Sequence, residues 1–570
     1  MFTTIPPWIR VSVRVSTRVK RGRLILVLLI TLIFPGERAF PADPFLPVSG
    51  LKLLQSLTLQ NDCAGFLLHE GAEQLISLLV REGSDLTRAE LIGLLQDLER
   101  KGTLDASIAA LARLAVREAP EERAREIAHL MRAELRSEAW ISQEAADAML
   151  RKKLLALSPG TGLNSRDFWK FLRDQAGARR IRMNAIELLP RNSDSLQARL
   201  RLIEGARHSI DILSWGWVDD SSGEFLARAL IQKKQERPSL RIRILVDGAV
   251  ASQAKYNDTL KVMAQNGIEV VNARVSSEPF HGMHQKMMIR DAGATAPGAT
   301  PELILGGRNP GDDYFLDQGW SDFDLRIRGP FIQEAAIRFR ALWNRSAPTA
   351  LAEDATSVLG REFLAETGPA LGANSIGLLS HHPDRPGEDP VLLAALAILK
   401  AAKRQVWISN AYFLPPPVLI DSIGAAVRRG VEVRVLTNSP LSIDEWILGF
   451  PMLDQAKKLS ALGVKVFLKQ GKTLHEKVLV ADGEIALAGS YNFHPRSQWY
   501  EMESAVVFSD EPPVNTPAPS RTLTLFQSEL SARFDAAIPL QAYLAGRPER
   551  SPTPQEVLSL KIFEWFRRQF

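Results

Sequence analysis

Two stretches decide how this chain folds: His284-Gln285-Lys286-Met287-Met288-Ile289-Arg290-Asp291 and His475-Glu476-Lys477-Val478-Leu479-Val480-Ala481-Asp482. In both, a lysine follows the histidine by two residues and an aspartate by seven. Each run has strand-like composition, and on a strand residues i and i+2 share a face, so histidine and lysine of each copy are expected to project together. Asp291 and Asp482, at an odd offset, are expected on the other side or at the strand end, as carboxylates that support the fold rather than touch a ligand.

The surroundings are duplicated too. Ala206-Arg207-His208-Ser209-Ile210-Asp211-Ile212-Leu213 parallels Ala402-Lys403-Arg404-Gln405-Val406-Trp407-Ile408-Ser409, each a helix end running into a strand. Arg241–Asp247 parallels Val431–Thr437 as a second strand, and the motif histidine follows the start of that strand by 43 and 44 residues. Each motif leads through a turn into another strand ending in Gly and Asn, Gly306-Gly307-Arg308-Asn309 and Gly489-Ser490-Tyr491-Asn492. An internal repeat of alternating strands and helices predicts an α/β fold of two mixed-sheet halves about a pseudo-two-fold axis.

The chemistry follows from the residue types. A histidine can attack phosphorus or move a proton, and a carboxylate accepting from Nδ1 leaves Nε2 free to do so. Asp322 and Glu503 are the expected orienting carboxylates, with Asp324 and Glu501 as alternatives. Lys286, Lys477, Asn309 and Asn492 can surround the non-bridging oxygens of a phosphodiester. The cations are lysines and no oxygen-ligand cage is evident, so no metal or other cofactor is expected.

Composition sets limits around this core. The chain has 570 residues, enough for several domains, and a single cysteine, Cys63, which excludes a disulfide framework and a cysteine-rich zinc site. Net charge is +5, but Arg10, Arg14, Arg18, Lys20, Arg21 and Arg23 put +6 in the first 23 residues, leaving −1 for the remainder. A near-neutral body disfavours nucleic acid as a partner. The basic tail runs into the eleven-residue Leu24–Phe34 stretch, apolar but for Thr31, the pattern of an export signal or short anchor. The catalytic body is therefore expected outside the cytoplasm, periplasmic or anchored to the inner membrane.

These flanking residues resemble the phospholipase D superfamily and, more narrowly, its bacterial cardiolipin synthase branch, across residues from about 181 to 540. The branch likeness rests on the run from Gly306 to Phe315, on Gly489-Ser490-Tyr491-Asn492 with Pro495-Arg496-Ser497, on Asn410-Ala411-Tyr412-Phe413-Leu414-Pro415, and on the strand from Arg429 to Asn438. Ala411, His494 and Glu501 depart from the branch, where a proline, an aspartate and an asparagine are frequent. The resemblance implies a duplicated phospholipase D-like fold, and apolar residues at three- and four-residue spacing among Ala, Leu, Glu and Arg predict a helical region before it. The layout is a signal or anchor over 1–42, a helical accessory region over 43–180, half 1 over 181–350, a linker over 351–375, half 2 over 376–540 and a tail over 541–570. It also implies a membrane phospholipid substrate, a membrane surface as partner, and a catalytic set of His284, Lys286, Asp291, His475, Lys477 and Asp482, with His284 as nucleophile and His475 as acid, then base. A nuclease of the same superfamily and an inactive membrane-tethered interaction protein are the alternative readings. The apolar run from Trp446 to Leu453 fits either lipid contact or a core helix.

Overall fold

The computed structural model describes residues 141–276, 281–292, 300–348, 372–445, 448–511 and 521–546, which from Gln143 onward belong to one compact unit, Gln143–Pro548. The expected export segment, the helical region as far as residue 140, most of the linker and nearly all of the tail lie outside these residues.

The described part opens with two helices, α1 (Gln143–Leu154) and α2 (Arg166–Ala176). In α2 the Ser165 side chain accepts from the Phe168 N–H, and Gly177 closes the last turn at φ 71°, a left-handed conformation in which glycine has no Cβ to clash. Phe168, Trp169, Phe171 and Leu172 bury one face of α2 in the core shared with half 2. Half 1 then runs β1 (Ile181–Leu189), α3 (Asn192–Gly205), β2 (Ser209–Ser214), α4 (Ser221–Glu236), β3 (Arg241–Asp247), α5 (Asp258–Gln265), β4 (Glu269–Ala273), β5 (Gly282–Met283), β6 (Met287–Arg290), β7 (Glu302–Gly306), β8 (Asp324–Arg328) and α6 (Ile332–Ser346). Half 2 runs β9 (Asn374–His381), α7 (Pro390–Ala401), β10 (Gln405–Asn410), α8 (Pro417–Arg428), β11 (Glu432–Asn438), α9 (Gly449–Ala461), β12 (Lys465–Lys469), β13 (Lys477–Ala481), β14 (Ile485–Gly489), β15 (Glu501–Asp510), α10 (Thr522–Asp535) and β16 (Ile538–Pro539).

The sixteen strands among the described residues join one sheet, with β1 antiparallel to β9 at its centre. Outward from β1 the order is β8-β7-β6-β2-β3-β4, and outward from β9 it is β15-β14-β13-β10-β11-β12. The two series match strand for strand, which is the expected pseudo-two-fold. Strands β2-β3-β4 and β10-β11-β12 are parallel, as strands joined through helices must be, and β6, β7, β8 and β13, β14, β15 are antiparallel. Helix α7 is apolar almost all round and therefore lies fully inside, with Asp389 capping its first turn and Pro390 at its start. The described part of the Trp446–Leu453 run enters α9, where Pro451, Met452 and Leu453 are buried, so the core-helix reading holds for those residues, while Trp446 and Ile447 lie outside the described set. Among the described residues no helix is long and apolar enough to cross a membrane.

Candidate active site

The two motifs reach the central seam, and each histidine is tied by main chain to the opposite half. In half 1, β5 pairs parallel with the start of β15, and the His284 N–H donates to the Met502 carbonyl at 2.9 Å. In half 2, Leu474 bridges Ser321, and the His475 N–H donates to the Ser321 carbonyl at 2.7 Å. This corrects the expectation that each histidine lies on the strand carrying its lysine. Strand β6 begins only at Met287 and β13 at Lys477, because the preceding residues are drawn across to the other half. Both lysines fold back to donate to the carbonyl of their own histidine.

The carboxylates cross the seam in the same way. His284 Nδ1 meets Glu503 Oε1 at 2.9 Å, and His475 Nδ1 meets Asp322 Oδ2 at 2.7 Å. Strand register makes these acids equivalent: Gly306 pairs with Asp324 and Gly489 with Ala505, so Asp322 and Glu503 each stand two residues before the partner of a repeated glycine. The alternatives are otherwise engaged. Asp324 is a fully buried structural anion held by Arg199 at 3.0 Å and Arg308 at 3.4 Å. Glu501 pairs with Arg496 at 2.7 Å and approaches His284 Nδ1 only to 3.7 Å. Glu503 also accepts from Ser490 and Ser497.

Asp291 and Asp482 are brought to the strand ends, not to the histidines. With φ of 52° and 54° they enter the left-handed region that Asp tolerates better than most residues. The Asp291 carboxylate accepts from the N–H groups of Arg207, His208 and Ser209, and that of Asp482 from Lys403, Arg404 and Gln405. Both pin the helix-to-strand corner of their own half. Their place in the catalytic set is thereby corrected to a structural one.

Burial dominates the electrostatics. It pushes Lys286 down to about 7, against the pull of Glu503, and Lys477 down to about 8, against that of Asp322. It also pushes Asp322 up to about 6, while burial and then Lys477, Lys286 and Arg308 hold His475 well below its ordinary value. The buried His475–Asp322 pair thus disfavours separated charges. Each lysine acts on the other and on both orienting acids, as one site rather than two requires.

Asn309 and Asn492 are buried three residues beyond β7 and β14, and the Oδ1 of each lacks a partner among the described residues. The Asn309 amide N–H donates to the Tyr314 hydroxyl at 3.2 Å. A half-turn of that amide would let Tyr314 donate instead and release the NH2 group for an anion. The ligand atoms of His284, Glu501 and Glu503 lie within 4.8 Å of one another, the one such group among the described residues. Their commitments to each other, to Arg496 and to two serines account for them as a hydrogen-bonded orienting cluster.

Sequence reasoning missed the aromatic wall. Tyr314, Trp320 and Tyr412 place their rings 5.2, 5.3 and 6.4 Å from His475, and Trp215 lies 6.0 Å from His284. Trp215 and Tyr412 follow the ends of the equivalent strands β2 and β10 within two residues, a signal visible once the repeat is aligned. Arg308, fully buried, also received no role: it donates to the Leu189 and Asp322 carbonyls and to Asn192, fixing the segment that carries Asp322. His494, one of the departures from the branch, is a buried cap accepting from the Ser497 N–H at 3.1 Å, and burial pushes it down to about 4.

A duplicated α/β sheet with paired His–Lys motifs facing across its two-fold defines a phosphodiester-processing enzyme similar to those of the phospholipase D superfamily. Within it, the family model described as "Cardiolipin synthase, PLD-like domain" matches residues 395–520. Cardiolipin synthase A from Yersinia pseudotuberculosis serotype O:1b (strain IP 31758) and from Yersinia pestis bv. Antiqua (strain Angola) is 26% identical over 340 residues, 59% of this chain and 68% of theirs. The structure of phosphatidylserine synthase from Haemophilus influenzae Rd KW20 shares the fold, with a TM-score of 0.55 at 16% identity over 70% of this chain and 98% of that one.

Proposed function

We propose that the chain transfers or hydrolyses the phosphatidyl group of a membrane glycerophospholipid through a phosphohistidine. The observation that carries the reading is the crossed pair of buried His–carboxylate contacts, at 2.9 and 2.7 Å, with both buried lysines acting on both acids. The likeness to cardiolipin synthases points to lipid. The basic and apolar tail supports a body working at a membrane, outside the cytoplasm.

Each orienting carboxylate accepts a hydrogen bond from the Nδ1–H of its histidine, leaving the Nε2 of His284 with a lone pair for phosphorus. As the His284 N–P bond forms, the P–O bond to the leaving alcohol breaks, and His475 supplies that oxygen with a proton. A bound phosphodiester is itself an anion; it offsets Lys477, Lys286 and Arg308 and so raises His475 toward the protonated form that step needs. His475 then takes the proton of water or of an acceptor alcohol, whose oxygen attacks phosphorus and frees His284. Lys286 and Lys477, with the amides of Asn309 and Asn492, stabilise the charge that builds on the non-bridging oxygens.

The test incubates purified protein with phosphatidylglycerol, phosphatidylethanolamine and single-stranded DNA, beside His284→Ala. Cardiolipin signals transfer and phosphatidic acid signals hydrolysis, and both should vanish in the variant. Cleavage of DNA with both lipids untouched would establish the nuclease instead.

A further inference from the structure

Away from the histidines, a cavity of about 350 Å³ opens where α1, the end of α2, α6 and the end of β9 meet. Lys153, Arg338, Arg345 and Arg385 line it against only two acids, Asp384 and Glu388. Arg338 and Arg345 lie seven residues apart and so share one face of α6. Their charges are poorly answered. Among the described residues no carboxylate lies within 4.0 Å of Lys153 or Arg345, whose one described contact is a guanidinium N–H donated to the Val275 carbonyl at 2.6 Å. Arg385 reaches Glu388 only at 3.8 Å, and Arg338 reaches Glu334 at 3.4 Å.

Neutral donors in the lining are the Gln175 amide, His382 and the Ser380 hydroxyl. Burial, against the opposing pull of Asp384, pushes His382 down to about 4, with His381, Arg345 and Arg338 acting the same way. Its ring is neutral at physiological pH, so one nitrogen carries a proton available for donation. The cavity is separate from the catalytic seam by strand alternation. His381 pairs with Glu503 and Ser380 with Ser504, so Ser380 faces the side of the sheet opposite the Glu503 carboxylate.

Guanidinium and ammonium groups in excess of carboxylates around a concave site recognise tetrahedral oxyanions. We infer that this cavity is a second anion site, binding a phosphate-bearing molecule whose source is either an anionic lipid headgroup or a soluble phosphate. The volume holds a phosphate group together with part of the moiety it is esterified to. The inference stands apart from the catalytic reading, because none of its residues touches the histidines.

The experiment uses the full chain. Binding of inorganic phosphate is measured by calorimetry for wild type, for Lys286→Ala/Lys477→Ala, which weakens the catalytic centre, and for Lys153→Ala/Arg385→Ala, two side chains with no hydrogen bond among the described residues. Circular dichroism melts confirm that all three are folded. The site predicts phosphate binding that survives the first double variant and weakens at least tenfold in the second. Flotation with vesicles of phosphatidylcholine, with or without phosphatidylglycerol, then separates the sources: vesicle binding that falls with the second double variant identifies a lipid headgroup, and vesicle binding that does not change identifies a soluble phosphate. Phosphate binding lost entirely in the catalytic variant, or unchanged in Lys153→Ala/Arg385→Ala, overturns the inference.

Discussion

Replacing Asp322 by asparagine removes one charge and almost no volume, and its effect can be worked out from the site. The His475 Nδ1–Asp322 Oδ2 contact is 2.7 Å long and fully buried. A hydrogen bond to a charged group contributes about 1.5–3 kcal/mol, which at about 1.4 kcal/mol per tenfold is roughly 10- to 100-fold in rate. An asparagine that turns its N–H toward Nδ1 also fixes the wrong tautomer and places the proton on Nε2. His475 then cannot accept a proton from the incoming alcohol, and such a tautomer error in an analogous carboxylate–histidine pair costs roughly 10⁴-fold. Asp322→Asn should therefore lower kcat by about 10²- to 10⁴-fold while the fold persists. Steady-state release of phosphatidic acid or cardiolipin from mixed micelles measures this, beside a thermal melt. Asp324→Asn is the control: it disturbs Arg199 and Arg308, so its loss should register as stability. An Asp322→Asn enzyme within threefold of wild type, or an Asp324→Asn enzyme that loses kcat with an unchanged melt, would refute the orienting assignment.

Glu503→Gln should cost about tenfold less than Asp322→Asn in the same assay, since Glu501 waits 3.7 Å from His284 as a second acceptor. With Lys286 near 7 and Lys477 near 8, kcat/KM should fall as pH rises through 7 to 8, because the ammonium groups that attract the phosphodiester discharge there. The fall in kcat should come at higher pH, since bound anion favours the charged lysines; a flat kcat/KM profile up to pH 9 contradicts the burial argument. Stability moves the opposite way: the unfolded chain, with lysines near ~10.4, binds more protons above pH 7, so these two groups strengthen the fold as pH rises from there toward 10. Asp291→Ala strips the acceptor from three N–H groups and leaves a β-carbon at positive φ, so urea unfolding should show a loss of about 2–4 kcal/mol with activity per folded molecule retained. Asp291→Asn, which tolerates that φ, should lose less.

Much of this was legible in sequence because the repeat was written twice. Offsets of two and seven from each histidine, the glycine turn and the carboxylates at 322 and 503 are local patterns, and the sheet places each where its partner copy predicts. The departures have one physical origin. No periodicity encodes a pairing between residues 153 or 219 positions apart, so nothing announced that β5 joins β15 or that Leu474 bridges Ser321. Those long-range ladders lift the histidines off the strands that composition assigns them. The aromatic wall stayed hidden for a related reason: Trp320 reads as a loop residue until its loop is seen to cross beneath His475. The two motif aspartates were recognised as supports by their odd offset, but their role at the corners depends on main-chain N–H groups about eighty residues away.

The crossing of the ladders carries a consequence for how such a molecule can be divided. Because each reactive ring hangs from backbone supplied by the opposite repeat, a severed half holds its own histidine and lysine yet neither the main-chain tether nor the carboxylate that aims the ring. Chemistry is then a property of the joined pair alone. Two fragments expressed separately should be inert, and should regain turnover together only to the extent that they rebuild the β1–β9 seam, making catalysis a direct gauge of assembly.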